Sequence, residues 1–255
     1  VEPDTSIKRE VQRKRIYLLD VPVDVLPEDE IEEKIRNLLD DGASHQIVFL
    51  TLRDLLRARG KSDFARAIRE ASLVIPLSKS ILRGARFLGR SVPVRYMPFS
   101  FVIKLLGVLE KHSKSLYLVG SAPQRLNVSA ANIRDSFPGL RIVGRYAGYF
   151  SPERENDIVL AIRKASPSLL LVGPGVKGGN RWIHAHKEEM QADLALWCAE
   201  CFDIFCGKKK RITYKSWERG TYRIGEFFRH PWRIFRIFPY SFYILLLLIA
   251  RLRKK

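Results

Sequence analysis

The residues best suited to phosphate chemistry are the run Gly173-Pro174-Gly175-Val176-Lys177-Gly178-Gly179-Asn180, which follows the apolar stretch 168–172. A helix is expected to begin just after it, near Arg181. Glycines at such a turn let backbone N–H groups approach an anion, and a helix N-terminus adds favourable partial charge. The run is neither a dinucleotide fingerprint nor a P-loop, and a tight strand-to-helix turn explains its composition equally well. A second grouping is His184, His186, Cys198 and Cys201. Cys-x-x-Cys suits zinc, yet its spacing from His-x-His matches no standard signature. Both cysteines close an apolar run, where cysteine behaves as a small hydrophobe, so no metal is expected. No Ser/His/Asp set or carboxylate pair is evident. Asp54 and Asp203 stand as isolated carboxylates, each as suited to a structural role as to general-base work.

The charge is strongly asymmetric. The 255 residues carry a net +18, and from Gly207 onward there are 14 basic against 2 acidic residues, so twelve of those charges lie in the last fifth. One end of the molecule is thus built to meet a polyanionic surface. The stretch opens with Lys208, Lys209, Lys210 and Arg211. It continues with Trp217, Trp232, Phe235 and Phe238 interleaved with Arg229, Arg233 and Arg236, which share a face if helical. Arg among aromatics also suits single-stranded nucleic acid. The closing aliphatic run 238–250 favours lipid, and nucleic acid is not expected as a partner. That run falls short of the roughly 20 apolar residues a spanning helix needs. The reading is an interfacial helix, with Trp and Phe on one side and Arg on the other; a core helix with a solvated basic face is the bland alternative. The N-terminal residues show no secretory signal, and three cysteines within nine positions give no disulfide framework, so a reducing, cytoplasmic setting is expected.

These residues need a scaffold. Short apolar runs at 16–19, 46–51, 73–76, 115–120, 141–144, 168–173 and 193–199 read as strands. Helical periodicity occupies 27–39, 52–59, 63–71, 80–88, 99–112, 127–137, 153–164 and 181–190. The alternation predicts an α/β fold: a Rossmann-like, mostly parallel sheet with helices on both faces, followed by a basic helical appendage. The expected division is residues 1–206 for the α/β domain and 207–255 for a membrane-docking appendage. Ligands of such sheets bind beyond the carboxyl ends of the strands.

The order of several short motifs resembles the WecG/TagA/CpsF proteins, glycosyltransferase family 26. The similarity runs through Val21-Pro-Val-Asp-Val-Leu26, Leu73-Val-Ile-Pro76, Phe137-Pro-Gly-Leu-Arg-Ile-Val-Gly144 and Gly148-Tyr-Phe-Ser-Pro152. It continues through Leu169-Leu-Leu-Val172, Gly175, Arg181-Trp-Ile183, Phe202-Asp203 and Gly207, and reaches the tail at His230-Pro-Trp-Arg-Ile-Phe-Arg236. The resemblance implies transfer of a hexosamine-type sugar from a UDP donor to a polyprenyl-diphosphate-linked acceptor, in cell-surface polysaccharide synthesis. It also implies no cofactor, and docking on the inner face of the cytoplasmic membrane by the appendage. A homo-oligomer is compatible with it.

Several positions depart from the family pattern. The Thr-x-Asn after the second strand is represented by Phe49 and Thr51, the carboxylate after Leu-Val-Ile-Pro by Leu77, and the following Gly by Ser78. The Pro-Lys-Gln-Glu loop is Lys177-Gly-Gly-Asn180, so the pocket Gln is Gly179, and one appendage Arg is Glu226. Arg95, Arg233 and Arg236 are retained and suit a diphosphate. With Leu77 unable to accept a proton, Thr51 and Asp54 are the expected catalytic substitutes. Arg95, Tyr149, Gly175, Lys177, Gly179, Asn180, Arg233 and Arg236 are expected at substrate. The other reading is a catalytically degenerate member that binds a lipid-linked intermediate or a partner enzyme without turnover.

Overall fold

The computed structural model describes residues 14–219 and 237–253. The first apolar run does not join the main sheet. Strands β1 (Arg15–Leu18) and β2 (Val21–Asp24) form an antiparallel hairpin of their own. Its two-residue turn, Leu19-Asp20, has φ of 52° and 66°, the left-handed pair that matches the twist of a tight hairpin. The hairpin has a specific seat. Asp24 is 5% exposed and takes two 2.7 Å bonds from the Arg15 guanidinium. Its Oδ2 also accepts the Val74 N–H at 2.6 Å, while Arg15 donates to the Ala71 carbonyl. The hairpin thereby covers a strand edge that would otherwise expose an unpaired donor.

That edge belongs to a six-stranded sheet of β3 (His45–Leu50), β4 (Leu73–Pro76), β5 (Ser115–Val119), β6 (Arg141–Tyr146), β7 (Leu169–Val172) and β8 (Leu194–Trp197). Its order is β4-β3-β8-β7-β5-β6, and every pairing is parallel. The expected Rossmann-like α/β architecture is what forms. Side chains alternate between its faces with the period of two that a strand imposes. Ile47, Phe49, Leu116, Leu118, Leu169 and Leu171 face one core, whereas Val48, Leu50 and Val74 face a second and Val119, Leu170 and Val172 a third. The all-apolar β7 lies inside the sheet and is buried throughout, as read from its composition. The edge strand β6 alternates exposed and half-buried residues.

The first core is closed by α1 (Ile31–Asp40), α5 (Pro98–Lys111), α6 (Pro123–Ser136) and α9 (Ala199–Phe205). On the other face lie α2 (Leu52–Ala58), α3 (Asp63–Arg69) and α4 (Lys79–Phe87), then α7 (Glu155–Ala165) and α8 (Asn180–Met190). The short α10 (Tyr214–Arg219) follows, and the C-terminal helix Ile237–Leu252 completes the described chain. It buries Tyr243 and Leu247 in the hairpin-side core beside Ile81 and Ala85 of α4. The rest of its surface is apolar and open, with Phe242 at 51%, Ile244 at 57% and Leu245 at 53% exposure. The expected arginine face, Arg229, Arg233 and Arg236, lies outside the described residues; Arg251 and Arg253 stand at the end of this helix. Among the described residues no helix is long and apolar enough to cross a membrane.

Candidate functional site

The carboxyl ends of the strands carry two splits in the chain path. From β3 the chain enters α2 on one face of the sheet, while from the adjacent β8 it enters α9 on the other. Likewise β5 feeds α6 and its neighbour β7 feeds α8 on opposite faces. Such divergence opens a crevice where a ligand fits without displacing a helix.

At the β5–β7 split three loops are locked together by backbone bonds. Ser121 N–H donates to the Pro174 carbonyl at 2.6 Å, Gly148 N–H to Ser121, and Tyr149 N–H to the Gly175 carbonyl at 2.9 Å. Tyr149 has φ of 61° and remains 69% exposed. Its ring lies over Gly175, where a Cβ would meet ring carbons at 2.7 and 2.9 Å. Only glycine therefore permits this corner, which presents a flat aromatic face next to a turn rich in N–H groups. Lys177 projects from the same loop and is exposed.

The remaining two loop residues point elsewhere. Asn180 is 8% exposed, and its carbonyl and Oδ1 accept from the Gln46 amide at 3.0 and 3.4 Å. Gly179 adopts φ 52°, ψ −110° under Trp197, whose ring would lie 3.0 Å from a Cβ there. The indole at the end of β8 occupies the space above position 179. No sequence signal flagged Trp197, because its proximity arises from the β7–β8 pairing, Val172 opposite Trp197.

At the β3–β8 split, Thr51 and Asp54 form a reciprocal cap of α2. Thr51 Oγ1 accepts the Asp54 N–H at 3.2 Å and donates to Asp54 Oδ2 at 2.5 Å, and Oδ2 also accepts the Thr51 N–H. Thr-x-x-Asp before an apolar run is a capping signature. Asp54 Oδ1 takes no hydrogen bond from another described residue. Nearby, Leu52 N–H donates to Ser78 Oγ at 2.9 Å, which ties the ends of β3 and β4 together. Leu77 packs half-buried against the main core, as its chemistry requires.

Arg95 lies beyond β4, stacked on Trp217 at 3.7 Å and donating to its carbonyl at 3.2 Å. Arg233, Arg236, Trp232 and Phe235 lie outside the described residues, while Phe238 falls within the C-terminal helix. The basic run after Gly207 is partly engaged. Lys209 pairs with Glu200 at 2.8 Å, Lys208 stands 3.9 Å from Asp203, and Arg211 covers the Phe99 ring; Lys210 is exposed. The histidines pair with carboxylates, His184 with Glu70 and His186 with Glu155. Cys198 and Cys201 are joined as a disulfide, a correction to the expectation of none. Cys198 caps α9 and Cys201 lies within its first turn, which brings the two side chains together at a Cα separation of 5.7 Å.

Similarity to known sequences agrees with this architecture. The profile of the Glycosyl transferase WecG/TagA/CpsF family matches residues 16–255, nearly the whole chain. The chain belongs to that family. Among curated members, it is 22% identical over 236 residues to the N-acetylglucosaminyldiphosphoundecaprenol N-acetyl-beta-D-mannosaminyltransferase of Bacillus subtilis (strain 168), covering 91% of this chain and 87% of that protein. The protein of the same description from Bacillus spizizenii is 21% identical over 148 residues, 58% of this chain and 57% of its own length. This WecG/TagA/CpsF member carries, at the carboxyl edge of its sheet, the Tyr149–Gly175 corner and the Thr51–Asp54 cap.

Proposed function

We propose that this WecG/TagA/CpsF protein transfers a hexosamine-type sugar from a UDP donor to a polyprenyl-diphosphate-linked acceptor, peripherally bound at the cytoplasmic face of the membrane in cell-surface polysaccharide synthesis. The observation that carries the donor assignment is the Tyr149–Gly175 corner. An exposed aromatic face for a base stands beside a turn whose N–H groups suit phosphate, and Lys177 adds positive charge. The relatives' acceptor, a diphosphoundecaprenol carrying N-acetylglucosamine, supports the lipid-linked class. No cofactor enters this reading.

In this mechanism the acceptor hydroxyl attacks the anomeric carbon as the bond to the UDP phosphate oxygen breaks. The proton passes to Asp54 Oδ1, with Thr51 holding the other oxygen in place. Arg95, with Arg233 and Arg236 of the appendage, neutralises the departing diphosphate. The appendage, residues 207–255, docks on anionic lipid through Lys208, Lys209, Lys210, Arg211, Trp232, Phe235 and Phe238. The open apolar surface of the C-terminal helix supports that docking.

A second reading has specific support: a degenerate member that holds a lipid-linked intermediate or a partner enzyme. Leu77 stands where the family pattern has a carboxylate, Asp54 is engaged in a cap, and Trp197 fills the space over Gly179. Incubation of purified protein with UDP-N-acetylhexosamines and a prenyl-diphosphate-linked N-acetylglucosamine acceptor decides between them. Release of UDP together with an elongated acceptor supports transfer. Binding of both ligands with no product establishes the degenerate reading instead.

A further inference from the structure

The disulfide Cys198–Cys201 joins the end of β8 to α9, and the residues on either side of it are aromatic. Trp197 precedes the bonded pair and Phe202 follows it. Each ring lies on a glycine of the run after β7. A Cβ at Gly179 would meet the Trp197 indole at 3.0 Å, and one at Gly173 would meet the Phe202 ring at 2.4 Å. The bond thus links the two rings that seat the first and last glycines of the Gly173–Gly179 turn. Cys198 is the N-cap of α9 and makes no side-chain hydrogen bond to it, so the sulfur bridge takes the place of a polar cap. The later part of α9 is anchored separately. Ser129 Oγ donates to the Phe202 carbonyl at 3.2 Å, and Asn132 Nδ2 donates to the Phe205 carbonyl at 2.7 Å. The bond therefore couples Trp197 to an anchored Phe202, and cleaving it frees the Trp197 end.

We propose that Cys198–Cys201 is a reversible thiol–disulfide switch that sets the stiffness of the Gly173–Gly179 turn, closed by a small disulfide oxidant and opened by a small dithiol. Cys-x-x-Cys between a strand and a helix is a spacing used for thiol–disulfide exchange. Burial decides which partners it meets. Cys198 is 4% exposed and Cys201 is fully buried, so neither sulfur reaches a folded protein, and exchange runs with small thiols as the corner opens. A thiolate of the dithiol attacks one sulfur, the S–S bond breaks and a mixed disulfide forms. The second thiol of the reductant then displaces the protein sulfur. Two electrons and two protons pass to the cysteines, and the reductant leaves as a cyclic disulfide. In the closing direction a small disulfide accepts the two electrons and departs as two thiols. Cys206 stands outside the bond, its half-buried thiol facing the Asp203 carbonyl at 3.6 Å.

The switch acts on the turn read above as the donor-phosphate site. A turn held in shape loses less freedom on binding than a loose one, so the disulfide form takes the phosphate more tightly. By linkage, the ligand favours the disulfide by the same factor. This effect on ligand rests on the donor reading; control of the turn does not.

The full-length protein tests this after equilibration with glutathione disulfide and after treatment with dithiothreitol. Iodoacetamide labelling in urea, read by mass spectrometry, should find Cys206 alone labelled in the first form and all three cysteines in the second. Hydrogen exchange across residues 173–180 should be roughly fivefold or more faster after reduction, return on reoxidation, and stay unchanged in β3 and β5. A Cys198→Ser/Cys201→Ser variant should exchange like the reduced wild type and ignore dithiothreitol, whereas Cys206→Ser should respond as wild type does. UDP should bind the disulfide form roughly fivefold or more tightly than the reduced form, and saturating UDP should shift the disulfide–dithiol equilibrium in a dithiothreitol buffer by the same factor. Three labelled cysteines after oxidation would overturn the bond. Unchanged exchange on reduction would make it a static staple and overturn the switch. Equal or weaker UDP binding by the disulfide form would overturn its effect on ligand. No UDP binding in either form, with redox-dependent exchange intact, would remove the donor reading and leave control of the turn standing.

Discussion

Tyr243 of the C-terminal helix sits directly over Gly84 of α4, its hydroxyl donating to the Ser80 carbonyl at 3.2 Å in space that any Cβ at position 84 would overlap. Burial pushes the Tyr243 phenol above its ordinary pKa, so it remains a neutral donor at physiological pH. The contact fixes the C-terminal helix to the body through a knob and a socket. Gly84→Ala should unseat it, although alanine by itself favours α4 by about 1 kcal/mol. Hydrogen exchange should then accelerate across residues 237–252 and not in the sheet. In a Tyr243→Ala background the same substitution should add no further exchange, because the overlapping atoms are gone.

The buried Arg15–Asp24 pair makes a separate prediction. Removing one partner of a buried ion pair strands the other, at a cost of about 3–5 kcal/mol. Asp24→Asn should lower the urea midpoint accordingly, and the hairpin should become the first site of proteolysis.

Asp54 is asked to serve both cap and base. Thr51→Ala should cost about 1 kcal/mol through the lost cap. If transfer is confirmed, Asp54→Asn should reduce kcat by about 100-fold or more with KM for the UDP-sugar little changed. Loss of stability without loss of kcat would confine Asp54 to the cap.

Glutamine at position 179 should meet two obstacles, the Trp197 ring and the backbone itself. The backbone there, φ 52° and ψ −110°, admits glycine with little strain and other residues at about 1–3 kcal/mol. Thermal unfolding of Gly179→Gln should show that loss, and Trp197→Gly in the same chain should recover only the part due to the ring.

Asp193 supplies a pH dependence of definite sign. Burial raises its carboxyl above the ordinary 3.8, partly countered by Lys114 and a bond to Ser168. A raised pKa in the fold means that its contribution is present below about pH 4 and lost as pH rises through the higher folded value. Urea midpoints of wild type and Asp193→Asn should therefore diverge between acidic and neutral pH, the Asn variant losing less on the way up.

Much of the molecule was legible from residue order. The alternation of strands and helices fixed an α/β class because period-two and period-3.6 patterns cannot be exchanged without burying polar groups. The unbroken apolar run of β7 announced an interior strand for the same reason. The Gly175 turn was visible as a place where backbone could approach a ligand. Boundaries were less secure: the helix read from residue 27 begins at Ile31, and Ile16 entered a separate hairpin, not the main sheet. Local pattern cannot distinguish those outcomes, since both bury the same side chains.

The sequence by itself determined the fold class, the family likeness, the Gly-rich turn and the basic, aliphatic character of the tail. Only the tertiary structure decided which side chains meet. It placed Trp197 over Gly179, Gln46 on Asn180 and Tyr243 on Gly84, contacts between residues 18, 134 and 159 positions apart. It also joined Cys198 to Cys201 and set Phe202 on Gly173. The physical reason is that composition and period act along the chain, whereas a site is set by strand order and helix seating, which bring distant loops to one edge of the sheet.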